Sequence, residues 1–163
     1  MPCPLSIEAR LVKWSEIDTD ANTWNIPGNR MKSGRPHRVP LSDVVVKLLE
    51  ALPRIQGEDL IFPGAKKGKP LSDMTMTKVM RGMGVDAVPY GFRATFSSWR
   101  ASSTAYPSEV REMALAHSIG DGTVAAYQRS DLFDKRRNLM ADWAKFINTA
   151  PATGKVIPMH KAA

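Results

Sequence analysis

Residues 37–53 read HRVPLSDVVVKLLEALP and change their hydrophobic period midway. Residues 37–41 are typical of a short strand. Ser42 and Asp43 then offer an N-cap, and the apolar residues that follow lie on one helical stripe until Pro53 ends it. That stripe contains Val44, Val45, Leu48, Leu49 and Leu52. A strand therefore gives way to a helix at Ser42, so the chain combines both kinds of element.

Upstream of this point the chain favours strands, and downstream it favours helices. The segments Trp14–Asp18 and Thr23–Ile26 are separated by turn-forming residues and predict, with residues 37–41, a small antiparallel sheet. Residues 53–71 predict a loop with one short strand at 60–62. The expected fold class is α+β, mainly α, with a small antiparallel β-sheet near the N-terminus followed by a helical bundle.

Four further helices are predicted from apolar stripes with helical spacing. They begin near Ser72, Phe92, Pro107 and Asp131, and a short helical stretch through Tyr127 precedes the last one. The stripes expected to face the core are Met76, Val79, Met80 and Met83; Phe92, Phe96 and Trp99; Val110, Met113, Ala114 and His117; and Leu132, Leu139 and Phe146 beside Phe133, Met140, Trp143 and Ile147.

Composition indicates one globular domain. The 163 residues are 43% hydrophobic and 24% charged, which is enough apolar material for a core. We expect the domain to cover residues 1–148 and residues 149–163 to be a disordered tail, because that tail has few large apolar groups. A single cysteine, Cys3, excludes an internal disulfide framework and a cysteine zinc cluster.

The chain has no features of a secreted or membrane protein. Its first residues lack a basic and apolar signal sequence, and no apolar run reaches the eighteen or so residues that span a bilayer. We expect a soluble, cytoplasmic protein without a membrane partner. The 23 Lys and Arg residues against 16 Asp and Glu give a net charge of +7, which favours a polyanionic partner such as nucleic acid.

Three side chains in the second half of the chain could act together on a phosphodiester without a metal. The guanidinium of Arg93 can bind two phosphate oxygens, and the imidazole of His117 can donate a hydrogen bond or manage a proton. The phenol of Tyr127 can attack phosphorus. The densest basic cluster lies far upstream, in residues 30–38, and contains Arg30, Lys32, Arg35, His37 and Arg38.

Residues 5–148 resemble the catalytic domain of tyrosine recombinases of the bacteriophage integrase type. Residues 30–42 look like the hairpin and strand that carry the family's catalytic lysine. Leu115-Ala116-His117, followed after ten residues by Tyr127, looks like the family's nucleophile box. The resemblance implies double-stranded DNA as the partner, and strand cleavage and rejoining through a 3′-phosphotyrosine, with no metal, ATP or other cofactor.

The resemblance also implies a role for each matching residue. Tyr127 would be the nucleophile, Arg93 would clamp the scissile phosphate, and His117 would donate a hydrogen bond to it. Lys32 would be the general acid for the 5′-oxygen, and Tyr90 stands where the family has a second histidine. The residues that would contact backbone phosphates are Arg30, Arg35, His37 and Arg38.

Two catalytic positions depart from the family pattern: Tyr90 stands where the family has its second-box histidine, and Leu5 stands where it has its first arginine. The family's first arginine lies three residues before an acidic residue, and here Glu8 is present but Leu5 stands at the arginine's position. Loss of one preorganised donor typically costs about 10²–10³ in rate. We therefore expect an N-terminally truncated catalytic domain with impaired cleavage, and whether this chain is an active enzyme stays open.

Three alternatives remain open from the sequence. The first is a non-catalytic DNA-binding remnant or regulator that uses the same basic face. The second is a type IB topoisomerase-like enzyme, which shares the chemistry, and the third is a basic α+β domain with no nucleic-acid role. Oligomeric state also stays open, since recombinases of this type act as tetramers, which would make the chain a homo-oligomer on DNA.

Overall fold

A small β-sheet precedes a set of helices in the computed structural model, which describes residues 6–116 and 131–149. This order confirms the predicted α+β class. Two short 3₁₀ helices, at Trp14–Glu16 and Gly28–Arg30, flank the first strands. The other elements are α1 (Ser6–Arg10), β1 (Ile17–Asp18), β2 (Thr23–Ile26), β3 (His37–Pro40), α2 (Asp43–Glu50), α3 (Asp73–Gly82), α4 (Gly91–Ser102), α5 (Ser108–Ala114) and α6 (Phe133–Asn148).

The sheet is antiparallel with strand order β1-β2-β3. Ile17 pairs with Trp24 across β1 and β2, and Ile26 pairs with His37 across β2 and β3. The prediction of a strand over residues 14–18 was wrong in its first part, because residues 14–16 close a 3₁₀ turn. The strand predicted at residues 60–62 is a single bridge between Leu60 and Lys13.

The inner face of the sheet packs against α2 and the segment after it. Ile26 is only 2% exposed, and burial of such a side chain contributes about 1.5–3 kcal/mol. This sheet core consists of Val12, Trp24, Ile26, Val39, Leu41, Leu49 and Ile61.

The second core lies between α4, α5 and α6. Phe96, Val110 and Leu139 are fully buried at its centre. Trp143 of α6 meets Phe96 edge to face with ring centroids 5.3 Å apart, and it meets Trp99 at 5.0 Å. These contacts fix α4 against α6, and this packing supports the residues at the start of α4.

Several apolar side chains predicted to face the core are instead about half exposed or more. They are Val44, Leu48, Val79, Met83, Phe92, Phe146 and Ile147. In α2, Val44 and Leu48 form a row about 100° from the one that contains the buried Leu49. The stripe prediction merged two adjacent rows, and only one row of a short helix reaches the core.

The same reasoning explains α3, where Met80 is buried while Val79 and Met83 lie on the neighbouring row. In α4 and α6 the exposed residues are near helix ends. Phe92 is in the first turn of α4, and Phe146 is in the last turn of α6, where it still stacks on Trp143 at 5.5 Å.

Some predicted features lie outside the described residues. These are Leu5, His117 with the remainder of its box, the helical stretch through Tyr127, and residues 150–163 of the tail predicted at 149–163. In residues 6–116 and 131–149, no helix has the length and apolarity needed to cross a membrane.

Candidate functional site

The start of α4 presents Tyr90 and Arg93. Tyr90 is the residue before the helix and is 62% exposed. Arg93 lies in the first turn, and its Nη2 donates a hydrogen bond to the carbonyl oxygen of Leu115 at 2.7 Å. Leu115 caps the C-terminal end of α5, where the helix dipole favours a cation. The guanidinium of Arg93 is therefore held at the end of α5, two residues before His117 in the sequence.

A second arginine of α4 reinforces the contact with α5. Arg100 is only 7% exposed, and its Nη2 donates to Oε1 of Glu112 at 2.9 Å and to Oγ of Ser97 at 3.2 Å. Because Arg93 and Arg100 are seven residues apart, they lie on the same side of α4. The contacts of Arg93 with Leu115 and of Arg100 with Glu112 are both charge-assisted, and they hold α5 against α4.

The backbone at the end of α5 adopts an uncommon conformation. Ala116 has φ of 55°, in the left-handed region, and its N–H donates to the carbonyl oxygen of Met113 at 3.1 Å. This conformation costs a residue with a Cβ about 1–2 kcal/mol. The chain is turned sharply at the residue before His117, while His117 and Tyr127 themselves lie outside the described residues.

Lys32 lies on a closed turn between β2 and β3. The N–H of Gly34 donates to the carbonyl oxygen of Met31 at 3.0 Å, and Gly34 has φ of 68°. A Cβ on Gly28 would overlap the carbonyl of Gly34, so the turn requires glycine at position 28. Lys32 is exposed on this turn, as is Arg35. Both cations are presented to solvent from an ordered backbone.

Arg30 has a different environment from Arg35. Its Nη1 forms an ion pair with Glu16, and its Nη2 donates to the carbonyl oxygen of Glu8 at 3.0 Å. Only 16% of the Arg30 side chain is exposed, and Glu16 also accepts a hydrogen bond from Trp24 Nε1 at 3.0 Å. Arg30 is thus bound within the sheet region, and its proposed contact with phosphate stays a prediction.

Arg38 remains largely exposed at the end of the basic cluster. Its guanidinium lies 4.1 Å above the ring of Phe133, and its Nε is 3.8 Å from Oδ2 of Asp131. The aromatic ring and the carboxylate orient the side chain, while 53% of it stays accessible. Arg38 can therefore still reach an external anion.

His37 is neutral at physiological pH. Burial, and secondarily the charge of Arg136, lower the pKa of His37 to about 4, although Asp131 acts in the opposite direction. The imidazole lines a cleft of about 350 Å³ together with Arg38 and Arg136. It can offer a hydrogen bond to a phosphate in its neutral form, but it contributes no positive charge.

Sequence reasoning missed Arg136, which is 2% exposed in α6. Its guanidinium donates to the carbonyl oxygen of Arg38 at 2.6 Å, to the carbonyl oxygen of Asp131 at 2.8 Å and to Oδ2 of Asp131 at 3.1 Å. The sequence feature that could have indicated a buried arginine is its position, four residues after Leu132 and three before Leu139. This spacing puts a charged residue on the apolar stripe of the helix.

The candidate site residues that the structure describes lie on two parts of the fold. Tyr90 and Arg93 belong to the α4–α5 end of the helical core, whereas Lys32, Arg35 and Arg38 lie on the sheet side. Each group offers cations to an anionic ligand, and the extended, repeating charge of a nucleic-acid backbone could engage both.

Comparisons with known proteins bear on the identity of this arrangement. The pattern of the phage integrase family matches residues 7–132. The prophage integrase IntA of Escherichia coli (strain K12) is 36% identical over 157 residues, which cover 94% of this chain and 38% of the relative.

Two further relatives are similar. The prophage integrase IntZ of the same strain is 33% identical over 145 residues, covering 87% of this chain and 36% of the relative. The integrase of Enterobacteria phage P4 is 32% identical over 162 residues, covering 88% of this chain and 37% of the relative. The chain spans less than two fifths of the length of these curated relatives. The chain belongs to the phage integrase family.

Proposed function

We propose that this chain carries the strand-cleaving part of a site-specific DNA recombinase. Membership of the phage integrase family supports DNA as the substrate, and the net charge of +7 agrees with it. The observation that carries the proposal is the bond from Arg93 to Leu115, because it puts a catalytic-type arginine beside the residues that lead into His117.

In the proposed reaction, Tyr127 attacks the scissile phosphorus. A new bond joins the phenolic oxygen to phosphorus, and the bond from phosphorus to the 5′-oxygen breaks. The phenol gives its proton to water, and the ammonium group of Lys32 donates a proton to the leaving 5′-oxygen. A second 5′-hydroxyl reverses the step on another strand, so the energy of the phosphodiester bond is conserved in the covalent intermediate.

The remaining residues stabilise charge on the phosphate. Arg93 clamps the non-bridging oxygens, and His117 and Tyr90 donate hydrogen bonds to them. Such cations also favour the phenolate, since a tyrosine with the reference pKa of about 10 is mostly protonated at neutral pH. Arg35 and Arg38, which are exposed, contact phosphates of the backbone without reading base sequence.

We further propose that cleavage by this chain is impaired by Leu5. This residue occupies the position of the family's first arginine, and an aliphatic side chain cannot donate a hydrogen bond to phosphate. Restoring one preorganised donor should therefore raise the rate by about 10²–10³. The same observation favours the second candidate function, a DNA-binding protein that does not cleave.

A nicked suicide substrate tests both proposals. Duplexes with a randomised centre would carry a nick beyond the cleavage position, so that the cleaved fragment diffuses away and the covalent adduct accumulates. The chain as it stands and its Leu5→Arg variant would be compared by denaturing gel. We expect a faint adduct from the former, and one formed about 10²-fold faster from the latter.

The three tyrosines of the chain provide the control. In the Leu5→Arg background, Tyr127→Phe should abolish the adduct while Tyr106→Phe should retain it. Equal adduct formation with Leu5 and with arginine at that position would refute impairment. Duplex binding without an adduct from either protein would favour the non-cleaving DNA-binding function.

A further inference from the structure

Residues 63–70, which read PGAKKGKP, form a closed loop that we call the lysine loop. Pro63 and Pro70 pair in an antiparallel bridge, and the N–H of Gly64 donates to the carbonyl oxygen of Lys69 at 2.6 Å. A Cβ on Gly64 would lie 2.5 Å from the carbonyl oxygen of Pro70, so the two ends of the loop can approach only with glycine there.

A carboxylate outside the loop holds its far side. Oε2 of Glu58 accepts a hydrogen bond from the N–H of Gly68 at 3.0 Å, and Oε1 accepts one from the N–H of Leu60 at 3.2 Å. These two backbone donors, and Lys67 to a lesser extent, keep the pKa of Glu58 below its usual value. The carboxylate is therefore ionised at neutral pH and bonded to the backbone at both oxygens.

Three lysines project from this framework in four consecutive positions. Lys66, Lys67 and Lys69 are all exposed, and the sequence has no acidic residue from position 60 to position 72. In the part of the chain that the structure describes, none of the three forms an ion pair with a carboxylate. The loop thus presents three ammonium groups on an ordered backbone, against the single carboxylate of Glu58 that is bonded to its backbone.

Such an arrangement suits a polyanion with closely spaced charges. Ammonium groups held close together repel one another, and an anionic ligand relieves that repulsion. Duplex DNA carries one negative charge per about 1.7 Å of its axis, so several phosphates lie within reach of one loop. Because the backbone is already ordered, binding would cost little loop entropy.

The base of the lysine loop and the base of the turn that carries Lys32 are both hydrogen-bonded to α1. Nη1 of Arg10 donates to the carbonyl oxygen of Leu71 at 2.7 Å, and Nη2 of Arg30 donates to the carbonyl oxygen of Glu8 at 3.0 Å. Glu8 and Arg10 are two residues apart in α1, which is about 3 Å along the helix axis. Both basic loops are therefore anchored to the same short helix.

We propose that the lysine loop binds the phosphate backbone of the DNA duplex as a second contact surface, in addition to Lys32, Arg35 and Arg38. This inference rests on the proposed function, because it adds a contact to the same nucleic-acid partner. The contact is independent of base sequence, since ammonium groups recognise phosphate as point charges.

The test is the salt dependence of duplex binding by the full chain. Lys66, Lys67 and Lys69 would be changed together to Gln, which removes three charges and keeps most of each aliphatic stem. Affinity for a fluorescent duplex would be measured by anisotropy between about 50 and 200 mM salt. The slope of log K against log salt should become shallower by about 2–3, or about 0.9 for each phosphate that the loop no longer neutralises.

A matched control distinguishes the effect of losing these three lysines from the effect of lowering the net charge. Lys47, Lys78 and Lys145 are exposed lysines on α2, α3 and α6, and changing them together to Gln alters the charge by the same amount. This control should change the slope by less than about 1.

Equal slope changes in the two triple variants would overturn the inference and leave the proposed function standing. Absence of duplex binding by the unaltered chain at low salt would overturn both.

Discussion

Nη1 of Arg136 donates a hydrogen bond to the carbonyl oxygen of Arg38 at 2.6 Å, across 98 positions of the chain. The same guanidinium also binds the backbone and the carboxylate of Asp131. A single buried side chain thus joins α6 to the last strand of the sheet and to Asp131, which precedes the helix. This arginine, together with the contact of Arg38 with Phe133, holds the sheet against the helical core.

Arg136→Met should destabilise the protein by about 2–4 kcal/mol. The substitution keeps an unbranched side chain of similar length but removes three hydrogen bonds and leaves buried carbonyl oxygens without this donor. Arg137→Met is the matched control, because Arg137 is less buried and, among the described residues, donates one hydrogen bond, to the carbonyl oxygen of Ala21. The control should cost less than about 1 kcal/mol. Equal decreases in stability on urea unfolding would contradict a special role for Arg136.

Substitution of Arg30 should lower stability, whereas substitution of Arg35 should weaken DNA binding. Arg30→Met should cost about 2–3 kcal/mol because it leaves the largely buried Glu16 without its cation. Arg35→Met should leave stability within about 0.5 kcal/mol but make the salt slope of duplex binding shallower by about 0.9. Thermal unfolding and anisotropy titrations measure the two effects. A folded Arg30→Met protein whose slope changes as much as that of Arg35→Met would argue against this division.

The fold class was predictable because hydrophobic period is a local property. The change at Ser42 separated β3 from α2, and the expected start near Pro107 agrees with the start of α5 at Ser108. Exposure was less predictable, as Val79 and Met83 illustrate. Their spacing resembles that of buried residues, and only the position of neighbouring elements decides which of two adjacent rows faces the core.

The candidate site was predictable only where it matched a family pattern. Arg93 was assigned to the site in this way, and its role stays a prediction; its bond to the carbonyl of Leu115 could not be foreseen, because a backbone acceptor has no sequence signature. Buried Arg100 and Arg136 were also missed. Arginine is almost never fully buried unless it is paired, and partners such as Glu112 are identified only after folding.

His37 should make stability depend on pH. Its folded-state pKa of about 4 lies below the unfolded value of about 6.5, so the unfolded chain binds the proton more readily. The contribution of His37 is complete above about pH 6.5 and is lost as the pH falls to about 4, by about 3 kcal/mol in total. Urea unfolding at pH 7 and pH 4.5 measures this difference, which should be smaller in His37→Gln. Carboxylates distant from His37 contribute equally to both proteins, so an unchanged difference would exclude His37 as the cause.

Ala116→Gly should stabilise the protein by about 0.5–1 kcal/mol. Glycine adopts the left-handed conformation at φ of 55° without the Cβ penalty, although its greater freedom in the unfolded chain offsets part of the gain. Ala114→Gly is the matched control, since Ala114 is the last residue of α5 and is only 8% exposed. The control should lose about 1 kcal/mol, because glycine weakens a helix and removes a buried methyl group. Opposite shifts in the urea midpoint would locate the strain at the residue before His117, and a lower midpoint in both variants would show that Ala116 is not strained.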